Sequence, residues 1–93
     1  MLERRILIVN RLGLHARAAA RLVRTASTFR SSVRLERADK SALADAKSIL
    51  SVLLLAASRG TELLLTTEGA DEQEAMSTVC ALIEGGFGEE QEA

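Results

Sequence analysis

Apolar and polar residues alternate along the chain with two different periods, and the switches between them mark out seven elements. Residues 5–10 alternate about a stretch rich in Ile and Val, as a half-buried strand does, and Asn10 to Gly13 supplies turn residues. From Ala16 to about Phe29 the apolar positions Ala16, Ala19, Ala20, Val23, Ala26 and Phe29 fall at helical spacing, with Arg17, Arg21, Arg24 and Thr28 in a separate polar stripe. Alternation returns over Ser31 to Ala38, with Val33 and Leu35 on one face and Arg34 and Glu36 on the other. A polar break at Asp39 to Ser41 then leads into a short third strand around Ala42 to Ala44. Residues 45–58 are dense in Leu, Ile and Ala, and the Arg59-Gly60 pair after them is a stop signal, which predicts a second helix that is apolar on more than one side. Thr61 to Glu68 forms a fourth strand with Leu63 and Leu65 on one face. Gly69 to Asp71 breaks it, with Asp71 as cap of a third helix and Glu72 and Glu74 at its positive end. Ala75, Met76, Val79, Cys80, Leu82 and Ile83 are the buried stripe of that helix, which ends at Gly85 and Gly86.

Amphipathic helices and alternating strands in this order pack most economically as an antiparallel sheet of four strands with three helices on one face. The expected fold class is therefore α+β, an open-faced two-layer sandwich. A chain of 93 residues with a 47% hydrophobic fraction holds one such domain and no second one. Residues 1–88 are assigned to it, and the acidic end, 89–93, is expected to fray.

Charge changes this picture more than composition does. The formal net charge is −1, but residues 1–47 carry eleven Arg or Lys against four acids, and residues 48–93 carry Arg59 alone against nine. An acidic partner is thus steered to the amino half. With Phe29 and Phe87 as the only aromatics and an acidic carboxyl half, neither base stacking nor nucleic-acid binding is expected. Cys80, the single cysteine, sits among apolar neighbours and fits a reducing compartment. The amino terminus lacks a secretion-type apolar stretch and the longest apolar run is too short to span a bilayer, so a cytoplasmic location without membrane insertion is expected.

The one histidine, His15, directly precedes the first predicted helix, beside backbone N–H groups that have no partner inside that helix. A neutral imidazole nitrogen there can attack phosphorus, and the helix N–H groups with the Arg17 guanidinium can hold the phosphoryl oxygens. Spacing alone leaves open a histidine that only caps the helix. One histidine and one distant cysteine make no metal site, and no second histidine exists to serve a hydrolytic triad. No cofactor is expected. A group carrier remains, as opposed to a complete enzyme.

The segment Asn10-Arg11-Leu12-Gly13-Leu14-His15-Ala16-Arg17-Ala18-Ala19 resembles the active-site segment of the HPr family of bacterial phosphocarriers. Ala46 to Leu50, Ala57 to Thr61 and Thr67 to Asp71 are similar to further family segments, so the resemblance covers nearly the whole chain; the ending Ala81 to Phe87 is more similar to the nitrogen-related NPr branch than to the sugar branch. It departs at Ala18, where most sugar-branch relatives have proline, which presets a first helical turn. The resemblance implies the same sandwich, a phosphohistidine at His15, usually on Nδ1, and Arg17 as phosphate partner. It implies enzyme I as donor and an enzyme IIA domain as acceptor. It further implies that Ser48 is the family's regulatory serine, phosphorylated by HPr kinase in some bacteria; a capping role at the helix start is the alternative, and a non-transferring binding module controlled at Ser48 is the rival function. Ile49, Leu50 and Leu53 match the family's apolar contact patch, with Arg21 and Arg24 beside it. Core packing for the leucines and a solvated face for the arginines are the plain alternatives. The protein is expected to act as a monomer.

Overall fold

The computed structural model describes residues 1–89. It contains β1 (Leu2–Leu7), α1 (Ala16–Ala26), β2 (Ser32–Arg37), β3 (Leu43–Asp45), α2 (Ile49–Leu54), β4 (Glu62–Glu68) and α3 (Glu72–Glu84), closed by a 3₁₀ turn at Gly86–Gly88. The strands form one antiparallel sheet in the order β1-β4-β2-β3. The helices cover one face: α3 lies on β1 and β4, α2 on β3, and α1 packs against both other helices. This is the α+β open-faced sandwich that the periodicities predict. Among the described residues no helix is long and apolar enough to cross a membrane, and no group of three His, Cys, Asp or Glu side chains could hold a metal ion.

Strand alternation sets which side chains enter the core. Ile6, Ile8, Val33, Leu35, Leu63 and Leu65 point at the helices and are at most 3% exposed. Arg5 on the open face meets Glu62 across the sheet at 2.9 Å. β1 begins earlier than the predicted residues 5–10, and its line continues past Leu7 through Ile8, which pairs with Thr61 and Gly60.

The helices depart further from expectation. The buried stripe of α1 is Ala18, Ala19, Leu22 and Ala26, whereas Ala16 is exposed. Five alanines in a short helix make several faces equally apolar, and the neighbouring helices select among them. The predicted helix over residues 45–58 shrinks to six residues. Its start is delayed because Asp45 closes β3 and Ser48 takes the cap, and its end is set by Ala56 at φ 52. Arg37 from β2 donates to the Leu55 and Ala56 carbonyls at 3.1 and 3.2 Å, so a cation from another element caps this helix, not Arg59 and Gly60.

Asp71 is the N-cap residue of α3, as expected, but its side chain makes no cap bond to the helix. Its carboxylate instead accepts from Ser31 Oγ at 2.5 Å and from the Arg30 and Ser31 N–H groups at 2.9 Å, tying the entry of β2 to α3. These bonds, the Ser31 hydroxyl first, lower its pKa from the ordinary 3.8 to about 2. A carboxyl depressed on folding stabilises the protein above its unfolded pKa and ceases to do so as pH falls through the folded one. Asp71→Asn is therefore expected to melt below the wild type at neutral pH, and the gap should close between about pH 4 and about pH 2. Thermal melts of both proteins across that range check this; a gap that stays constant contradicts it.

Candidate functional site

Chain geometry, more than composition, fixes the place of His15. Asn10 to Gly13 makes a turn in which Gly13 N donates to the Asn10 carbonyl at 3.1 Å, and Gly13 adopts φ +66, a conformation that favours glycine. Leu14 then inserts into the core and its N–H donates to the Ala57 carbonyl at 2.9 Å. His15 follows as the N-cap of α1 with extended backbone, its carbonyl accepting from Ala19 at 2.8 Å. Its ring is thus held at the positive end of the helix. The N–H groups of Ala16 and Ala18 find no partner among the described residues. Ala18 is fully buried, and α1 forms its first turn without a proline.

The two ring nitrogens have different neighbours. Nδ1 accepts from the Arg17 N–H at 3.3 Å, while Nε2 lies 2.5 Å from Glu89 Oε2. Glu89 Oε1 accepts from Asn10 Nδ2 at 2.9 Å, and the other N–H of that amide goes to the Gly13 carbonyl at 2.8 Å. The Asn10 amide, with the His15 ring and Arg21 behind it, holds the Glu89 carboxyl below its ordinary pKa, so it is an ionised acceptor. Consequently the ring carries its proton on Nε2, facing the carboxylate, and a lone pair on Nδ1.

Arg11, Arg17 and Arg21 line the same open hollow as His15. Among the described residues neither Arg17 nor Arg24 is paired with a carboxylate, which leaves the Arg17 guanidinium available to an anion. Arg21 does not match its plain alternative of a solvated face: it is half-buried, and its guanidinium donates to the Phe87 carbonyl. Arg24 is exposed.

Ile49, Leu50 and Leu53 are 42%, 63% and 39% exposed, which settles their plain alternative against core packing. The core side of α2 is Val52 and Leu55. Leu12 beside His15 and Leu54 are also exposed apolar residues, and the sequence reading passed over both. Ser48 caps α2, its Oγ accepting from Ser51 N–H at 3.3 Å.

Glu89 is the site residue that sequence reasoning missed. Its position in the acidic ending, expected to fray, gave no sign of a contact 74 residues away. The signal available in retrospect was Phe87, a large apolar residue among glycines, which is fully buried and turns the chain back toward α1. Residues 90–93 of that ending lie outside the described residues.

The family model for the "PTS HPr component phosphorylation site" matches residues 2–85. The phosphocarrier protein HPr of Cupriavidus necator is 49% identical over 89 residues, spanning 96% of this chain and 98% of that protein. The phosphocarrier protein NPr of Proteus mirabilis is 40% identical over 87 residues, 94% of this chain and 96% of that protein. The crystal structure of HPr-C-His from Thermoanaerobacter tengcongensis superimposes with a TM-score of 0.89 at 46% identity, covering 97% of this chain and 99% of that one. With a histidine and a row of cations at a helix start on this fold, the chain belongs to the HPr family and is a phosphocarrier of the phosphotransferase system.

Proposed function

We propose that His15 Nδ1 takes the phosphoryl group from phosphorylated enzyme I and yields it to an enzyme IIA domain. The observation that carries this reading is the different neighbour of each ring nitrogen, the Arg17 N–H at Nδ1 and the Glu89 carboxylate at Nε2, from which the lone pair is assigned to Nδ1 and the proton to Nε2. In the first transfer the N–P bond of the donor breaks as the Nδ1–P bond forms, and in the second the Nδ1–P bond breaks as the acceptor's bond forms. The protein needs no base, because no proton leaves the attacking nitrogen. Phosphoryl oxygens fit between the N–H groups of Ala16 and Ala18 and the Arg17 guanidinium, which is exposed and turned to the same hollow. Ile49, Leu50 and Leu53 on α2, with Arg21 and Arg24 on α1, the helix packed against it, form the face on which these acidic partners dock, an apolar centre beside cations. The carrier acts as a cytoplasmic monomer.

A nitrogen-related regulatory branch is proposed on the ending Ala81 to Phe87. Overall identity is higher to the HPr of C. necator than to the NPr of P. mirabilis, so the branch rests on that ending, and the enzyme IIA domain that accepts the phosphate decides it. Incubation with phosphoenolpyruvate and the organism's enzyme I is expected to give a phosphate that is labile in acid and stable in alkali, the behaviour of a phosphohistidine. An acid-stable label under those conditions contradicts the reading.

A further inference from the structure

We infer that Glu89 is a positioning residue for this phosphoryl transfer: its carboxylate, braced by Asn10, keeps the Nε2 proton in place and leaves Nδ1 as the nucleophile. The inference rests on the reading that Nδ1 of His15 receives the phosphate. It comes from two contacts on one carboxylate and from the turn that brings it to the ring. Glu89 Oε2 receives the ring N–H at 2.5 Å and Oε1 receives the Asn10 amide at 2.9 Å. Asn10 is fully buried and its amide has one possible orientation, since turning it over would set its oxygen against both the Gly13 carbonyl and Glu89. Phe87, fully buried, anchors the segment, and Arg21 holds its carbonyl. Gly86, Phe87 and Gly88 all have positive φ, and this reversal carries Glu89 back to the start of α1. A carboxylate brought to the ring by a buried anchor, a buried amide and a left-handed turn is a built contact, not a surface ion pair.

The chemistry gives that contact a function. While the Nδ1–P bond forms, the ring gains positive charge and its Nε2 proton stays where it is. The bond to Glu89, already charge-assisted through the carboxylate, thereby gains a charged donor as well and is strongest in the transition state and in the phosphorylated carrier. When the phosphate leaves, the ring returns to neutral and the bond weakens. Arg11, Arg17 and Arg21 are the other charges lining the hollow, and of these Arg21 adds to the Asn10 amide and the His15 ring in keeping the carboxylate ionised. Glu89 leaves Nδ1 open because it touches the opposite edge of the ring.

Glu89→Gln and Asn10→Ala test this. In the unphosphorylated full-length protein, the Nε2–H proton of wild-type His15 is expected to appear far downfield in the NMR spectrum. It should move upfield or exchange away in both variants. Initial phosphorylation by enzyme I should fall about tenfold in kcat for Glu89→Gln with KM for enzyme I unchanged, because the lost bond to a charged group belongs to the transfer and not to docking. The smaller effect of Asn10→Ala should lie in the same direction. An unmoved Nε2–H resonance, or a kcat equal to or above the wild type, would overturn the role of Glu89. The resonance is read without enzyme I, so it stands apart from the phosphate assay: wild-type protein that takes no phosphate on His15 rejects the proposed function instead.

Discussion

His15→Asn is expected to take up no detectable phosphate from phosphoenolpyruvate and enzyme I while folding as stably as the wild type to within about 5 °C in Tm. The loss is complete because the chain holds no substitute. There is no second histidine, and Cys80 is 2% exposed with its thiol pushed up by burial, far from a nucleophilic thiolate. Stability should survive because asparagine, among the best N-cap residues, replaces the 3.3 Å cap bond of His15 to α1, and the Glu89 carboxylate that loses the ring keeps its 2.9 Å bond from Asn10. His15→Ala is the informative companion. It loses the cap as well, at about 0.5–2 kcal/mol, and a domain of this size melts roughly 4–8 °C lower for each kcal/mol. Both variants should fail alike as acceptors although their Tm values differ, which ties the failure to the missing nitrogen and separates it from unfolding. Label in either variant at the wild-type level would remove His15 from the proposed role.

How much of this could be read from the sequence depended on the range of the interactions involved. Ile6, Val33, Leu35, Leu63 and Leu65 announce their strands because alternation is local, and each is buried as its strand requires. His15, Gly13 and Arg17 are neighbours in the chain, so the proposed phosphate cradle was legible as a short segment with its turn. The face of α1 was not, since a helix of alanines leaves the choice of stripe to its neighbours, and Ala16 turned out exposed where Leu22 is buried. The length of α2 was hidden for the same reason: leucines that stay exposed and leucines that fill the core look alike until Arg37 and Ala56 close the helix. Asp71 was assigned to a local cap, yet its partners Arg30 and Ser31 lie some forty residues away. Glu89 was the largest omission. A glutamate in an acidic ending matches a solvated residue in every local respect, and only the burial of Phe87 makes it part of the site.

Gly13→Ala is expected to damage both the fold and the site, in contrast to the same change at Gly60. The two glycines have similar left-handed backbones, φ +66 and φ +89, so both variants carry the conformational cost of alanine there, about 1–2 kcal/mol. They differ in what the new methyl meets. At Gly60 nothing lies within 4 Å. At Gly13 it would stand 2.6 Å from the Ala57 carbonyl oxygen and 2.8 Å from Ser58 Cα, and both are backbone atoms that cannot swing aside. The turn must therefore move away from residues 57–58, which breaks the bond from Leu14 N–H to the Ala57 carbonyl and leaves these buried groups unsatisfied, a further loss of about 1–3 kcal/mol. A Tm at least about 10 °C below wild type is expected for Gly13→Ala and a drop of roughly half that or less for Gly60→Ala. Leu14 is the anchor that places His15, so the phosphorylation rate of Gly13→Ala should fall even at temperatures where the variant is fully folded. Gly60→Ala should be phosphorylated as the wild type is. Thermal melts followed by circular dichroism, with phosphorylation rates measured well below each Tm, decide the matter, and equal losses at the two positions would show that the contact with Ala57 does not set the position of His15.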